Sequence, residues 1–387
     1  MGFAVAGCAE QAPATPAGED VVLFLAATII TMDDMQAEAE MVAVTEGRVL
    51  AVGSAEELSG AYPAATRDNS FADKTLVPGL IDPHIHMALS SLQYATKLTP
   101  PWQMATPSGV VEGLPDRAAF LGKVNDLVAA HEGDGPLIIF GYHNLVHGDL
   151  VRADLDAITT AFPLIIWHYS SHDFYLNENA IEWAGITPAL HEQFEGIDLG
   201  ADGEPTGRVY EDAISFLLQK LGPTLLDPQR IAIGLEGFSG LLRSGGVTTV
   251  ADLGYGIFGR ALEDANIKNN WISPTHSGYR LYLVPEHRAF AREFGEGSPE
   301  AVTKMLAGDI ETPAPVLAQV KFFADAAFYS QTMRLSPPGY LAGQSKGSEG
   351  LWVIEPNDLA ETIRPYWEAG FDAVSYTHLT LPTKRIV

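Results

Sequence analysis

From Val77 onward, short apolar, β-branched runs alternate with longer amphipathic stretches, and this alternation limits the fold more than any other feature of the chain. Apolar residues recur at helical spacing in "DRAAFLGKVNDLVAAH" (116–131), in the first part of "RIAIGLEGFSGLLRSGGVTTVADLG" (230–254) and in "NDLAETIRPYWEAGFDAV" (357–374). Between them, "GVTTVAD", "YRLYLV" and "VLAQVKFFADA" are apolar enough to be buried on both faces, as strands of a parallel sheet are. Repeated strand–helix alternation predicts an α/β fold, and a TIM-type (β/α)8 barrel is the expected architecture for 387 residues. The stretch 87–242 is too long for one barrel connection. It carries the apolar runs "PLIIFGYH" and "PLIIWHYS" and reads as a large insertion, placed to cover the barrel mouth. Residues 21–76 form a separate small β unit, in which Glu46-Gly47 separates two alternating segments as a hairpin turn.

With 49 acidic against 23 basic side chains the formal charge is −26, which argues against nucleic-acid backbone binding. No apolar run reaches the roughly 20 residues that span a bilayer. The single cysteine, Cys8, rules out internal disulfides and Cys-based zinc sites. Its surroundings, "FAVAGCAEQ", resemble the lipobox of bacterial lipoproteins, so residues 1–20 are read as a signal remnant and linker. Lipidated Cys8 would then tether a periplasmic or cell-surface protein to a membrane. Only seven residues precede Cys8, fewer than a signal needs, and the alternative is a small-residue start of a cytoplasmic protein.

"LVPGLIDPHIHMAL" (77–90) ends a predicted strand in two histidines one residue apart. Residues two apart share a strand face, so His84 and His86 are expected to point together into the barrel, with Ile85 and Met87 turned toward the helices. The C-terminal ends of barrel strands are where such folds keep their chemistry. An isolated HxH is weak evidence by itself. Its context is stronger: "ADKTLVPGLIDPHIHM", preceded by "ATIITMDD" and "AVTEGRVLAVGSAEEL", resembles the amidohydrolase superfamily. The likeness continues through "SSHDFYLNENAIEWAGI", "GEPTGRVYEDA", "GGVTTVADLG" and "VKFFADAAF", over residues 21 to 373. These stretches resemble the large-insert branch that includes N-substituted formamide deformylases.

The resemblance implies a (β/α)8 barrel with residues 21–76 as the N-terminal part of a small composite β-sandwich. It also implies one or two divalent ions, zinc or a similar metal, held by His84 and His86 with a carboxylated Lys321 as bridging ligand. A Lys321 paired with Asp325 is the alternative. Asp82 is a candidate partner that fixes an imidazole, or a packing carboxylate. His172 is placed near the substrate by the resemblance, and otherwise reads as a cap before the helix near Asn177. Arg208 and Glu211, three apart on a predicted helix, read as a local ion pair. His143, His147 and His168 read as structural.

The family's mechanism also needs histidines ending the fifth and sixth strands and an aspartate general base ending the eighth, and none is found in the sequence. The fifth strand is expected at 369–374, after which "SYTHLTLPTKRIV" (375–387) resembles a translated sequencing-adapter tail of metagenomic origin, making His378 a decoy. An incomplete barrel over 77–374, inactive as written, is the expectation. The implied activity is hydrolysis of a C–N bond in a small amide, formamide or cyclic amide by metal-activated water. Alternatives are an ester-type hydrolase on the same metal site and a non-catalytic, surface-anchored binding lipoprotein.

Overall fold

The computed structural model describes residues 20–106, 109–270, 272 and 277–375. Cys8 and His378, with the lipidation and tail readings that rest on them, lie outside those residues. The chain divides into two compact units, the first ending at Gly79 and the second starting at Leu80.

In the first unit, strands β1 (Val22–Ile30), β2 (Glu38–Thr45), β3 (Arg48–Gly53) and β4 (Thr66–Leu76) form one sheet in the order β3-β2-β1-β4. β1 and β2 pair antiparallel, as do β2 and β3, whereas β4 joins β1 parallel. Glu46 and Gly47 take positive φ of 47° and 73° between β2 and β3, the backbone a two-residue hairpin turn demands. Alternating residues of these strands, Leu23, Met41 and Ala43, bury against Leu58 of helix α1 (Ala55–Ala61). Ser54 caps α1 by accepting the N–H of Glu57 at 3.2 Å.

The second unit begins with β5 (Leu80–Ile85), followed at once by α2 (Met87–Tyr94). The insertion after it builds its own mixed sheet from β6 (Lys97–Leu98), β7 (Leu137–Tyr142), β8 (Leu164–His168), β9 (Asp173–Leu176), β10 (Ile197–Leu199) and β11 (Pro205–Tyr210), in the order β10-β11-β9-β8-β7-β6. The apolar runs of the insertion are its central strands β7 and β8, parallel to one another and buried along their whole length. Helix α3 (Arg117–Ala129), capped by Asp116 at 2.9 Å, covers them through Phe120 and Val124.

The chain then alternates as the sequence predicts: α4 (Pro228–Ser244), β12 (Val247–Tyr255), α5 (Arg260–Asn269), β13 (Arg280–Pro285), α6 (His287–Phe294), β14 (Gln319–Lys321), α7 (Pro356–Glu368) and β15 (Asp372–Val374). β12 runs parallel between β5 and β13. Parallel bridges Leu283↔Val316 and Glu286↔Lys321 join β13 to the β14 segment, and β14 runs parallel to β15. Among the described residues this array does not close, since β5 and β15 are each paired on one side only. Gly234 lets α4 touch α2, because a Cβ there would fall 1.9 Å from the carbonyl oxygen of Ser91. That contact fixes α2 directly behind the histidine pair.

Candidate metal centre

β5 ends at Ile85, and His86, its backbone still extended at φ −131° and ψ 90°, is the N-cap residue of α2. The His84 and His86 rings meet edge to face, with centroids 5.3 Å apart. His86 Nδ1 is buried and has no hydrogen-bond partner among the described residues. It faces the backbone of Gly254, where a Cβ would come within 2.7 Å of it, and Asp252 Oδ1 lies 4.0 Å away. Asp252 is held by the strand pairing that sets it opposite Ile85, and its carboxylate accepts the N–H groups of Met87 (3.1 Å) and Gly254 (2.9 Å). The sequence carries little signal for this neighbour beyond an aspartate near the end of a β-branched run. Burial, reinforced by the charges of Lys321, His84 and His172, pushes His86 down to about 3. The ring is therefore neutral at ordinary pH, the form that binds a metal.

Asp82, also on β5, accepts the main-chain N–H of His84 at 3.1 Å, a turn-type bond that steadies the strand end. Lys321 ends β14 and is 4% exposed. Its Nζ donates to the carbonyl oxygen of Ser375 at 2.5 Å and lies 4.9 Å from the centroid of Phe323, while Asp325 accepts the N–H of Arg334. Burial pushes the Lys321 amine down to about 8, with Glu286 opposing and Arg288 reinforcing the shift. An amine held closer to its neutral form is the species that adds CO₂.

The insertion brings His172 close enough for its charge to weigh on His86. His172 precedes β9, and its Nδ1 is 3.0 Å from Glu211 Oε2. Burial alone would lower the His172 pKa, but Glu211, by charge and hydrogen bond, raises it overall. The helix after β9 is capped instead by Asn177, whose Oδ1 accepts the N–H of Ala180 at 2.9 Å. Arg208 and Glu211 correct the sequence reading outright. "PTGRVY" is strand β11, not helix, with Glu211 opening a short 3₁₀ turn after it, and the two side chains turn to other partners, Glu211 to His172 and Arg208 to Asp173. His147 and His168 are hydrogen-bonded within the insertion, to the carbonyl of Leu114 and to Asn144 and Ser170.

Among the described residues no three His, Cys, Asp or Glu side chains converge as a metal cluster. The His84 and His86 rings do converge, the His86 ring is neutral, and its Nδ1 lies 4.0 Å from the Asp252 carboxylate without a hydrogen bond among the described residues. The donor set fits a metal as a half-site, which Lys321 extends only as a carbamate.

A family model for an amidohydrolase family matches residues 72–268. The chain is 29% identical over 230 residues to the protein LONG AFTER FAR-RED 3 of Arabidopsis thaliana, covering 59% of this chain and 37% of that one. To the N-substituted formamide deformylase of Arthrobacter pascens it is 25% identical over 204 residues, 51% of this chain and 35% of the other. It thus spans little more than a third of these two relatives. Its fold resembles the crystal structure of an uncharacterized metal-dependent hydrolase from Pyrococcus horikoshii, with a TM-score of 0.56 at 16% identity over 92% of this chain and 64% of that one.

Proposed function

This chain belongs to the amidohydrolase family, and on that premise we propose that it is a metal-dependent hydrolase acting on a C–N bond of a small amide, formamide or cyclic amide. The observation that supports this reading is the meeting of the His84 and His86 rings at the C-terminal end of β5, with buried Lys321 and with His172 near enough for their charges to weigh on His86. His84, His86 and a carboxylated Lys321 would hold a zinc or similar ion, which when bound lowers the pKa of coordinated water and polarises a carbonyl. The chain's own residues do the rest. Asp252 and Gly254 fix the His86 ring, Lys321 takes up CO₂ as its amine loses a proton, and His172 offers a ring nitrogen to a substrate oxygen. The 25%-identical deformylase is the comparison that favours an amide-type bond over an ester.

Two experiments test this. Cobalt-loaded protein is expected to change its visible spectrum on addition of N-substituted formamides, and the His172→Ala variant to keep the metal but lose the response. A spectrum that responds to esters and not to formamides would replace the amide reading with the ester one. Gly254→Ala is expected to displace the His86 ring and weaken zinc binding by about 10–100-fold without changing the circular dichroism spectrum, the magnitude typical of disturbed outer support. Unchanged affinity in a zinc competition assay would remove Gly254 and Asp252 from the account.

A further inference from the structure

Glu211 sits where three segments of the second unit meet. Its Oε2 is 3.0 Å from His172 Nδ1, and its Oε1 accepts from Thr332 Oγ1 at 2.7 Å and from the N–H of Ala327 at 3.2 Å. The side chain is only 5% exposed, so a carboxylate has been taken out of water and supplied with donors from both sides. The backbone is arranged around it at a cost. Ser171, Glu211 and Gln331, one on each of the three segments, all adopt the left-handed region, with φ of 71°, 46° and 58°. Non-glycine residues hold that conformation only where surrounding structure imposes it, and such residues cluster at functional sites. The main chain is tied as well: the N–H of Glu211 donates to the carbonyl of His172 at 3.2 Å. Ser171, just before His172, accepts a hydrogen bond from the side chain of Gln93 on α2.

We propose that Glu211 is a positioning residue that locks the His172 ring through Nδ1, leaving Nε2 as the edge for a substrate oxygen, and couples that ring to the Ala327–Thr332 turn. The proposal rests on the reading of His172 as a substrate contact. Arg208 does not compete for the role, because its Nε and Nη2 donate to Asp173 Oδ2 at 2.9 and 2.6 Å. The two ion pairs lie side by side at β9 and β11, one between Arg208 and Asp173 and one ending at His172. A carboxylate on Nδ1 fixes the rotation of an imidazole and favours its doubly protonated form, in which Nε2–H donates to an oxygen in a single orientation.

The test follows the His172 ring by nuclear magnetic resonance, assigned through His172→Ala. Glu211 and Asp173 act to raise its titration and burial and Arg288 to lower it, so in the unmodified protein Nδ1 is expected to stay protonated and the midpoint to lie above the ordinary 6.5. Glu211→Gln is expected to reduce the proton affinity roughly tenfold or more, and Glu211→Asp to restore part of it. In the cobalt assay Glu211→Gln should weaken the formamide response while retaining the metal. An unprotonated Nδ1 in the unmodified protein, or a His172 midpoint unmoved in Glu211→Gln, overturns the positioning role. Loss of the formamide response in no variant, with the titration shift present, would instead leave the Glu211–His172 bond standing and remove the substrate contact.

Discussion

Replacing His84 and His86 together by alanine is expected to abolish specific zinc binding, by far more than the 10–100-fold ascribed to Gly254→Ala. The two rings are the imidazole donors that meet at the end of β5 among the described residues, and Lys321 by itself is a buried amine held by a main-chain carbonyl. Zinc affinity depends on the number of ligands held in geometry, and removing two of three leaves a single carbamate that has no reason to form without a cation. A competition titration of the double variant against the unmodified protein checks this. The single variants should fall between.

The second large effect concerns the buried pair in the insertion. Asp173 is fully buried, its Oδ2 accepts both Arg208 donors and Tyr175 Oη at 3.1 Å, and its Oδ1 has no partner among the described residues. Arg208 also donates through Nη2 to the carbonyl of Ser330 at 3.0 Å, which links the insertion to the turn that Glu211 holds. Arg208→Met leaves an uncompensated carboxylate in the core and is expected to cost about 3–5 kcal/mol, read as faster amide exchange in β8, β9 and β11. The double variant Asp173→Asn with Arg208→Met removes both charges and should cost much less. Burial raises Asp173 from 3.8 to about 6 even with Arg208 opposing it. A carboxyl raised in the folded state binds its proton more tightly there than in the unfolded chain, so stability is present at low pH and lost as pH climbs from 3.8 through the folded value. Without Arg208 that value rises further. The exchange defect of Arg208→Met should therefore be larger at pH 8 than at pH 5, and a defect independent of pH would argue that lost packing, not charge, is responsible.

Local pattern and long-range contact divide what the sequence discloses from what it hides. The strand–helix alternation after Val77, the Glu46-Gly47 turn and the helix begun by Asp116 follow from spacing and capping chemistry, and each is present. The HxH placement follows from a period of two along β5. "PTGRVYEDA" was misleading because two charges three apart suit a helix, whereas the residues answer to partners on another strand. Asp173 is 35 positions from Arg208 and His172 is 39 from Glu211, separations at which a single sequence offers no periodicity to read. Asp252 was invisible for the same reason, since it reaches the histidine end of β5 from a position 165 residues after Met87. Lys321 was conspicuous because a cation in an apolar strand asks for an explanation, yet its actual partner, the carbonyl of Ser375, is a main-chain atom that no side-chain pattern announces.

The central claim, that His84, His86 and Lys321 form a metal half-site, is tested most directly by X-ray absorption at the zinc edge of the zinc-loaded protein. The account expects two imidazole nitrogens at about 2.0–2.1 Å together with oxygen at about 2.0–2.2 Å, and loss of the imidazole signal in the double-alanine variant. A sulfur neighbour at about 2.3 Å, or a shell of oxygens with no imidazole in the unmodified protein, would contradict it.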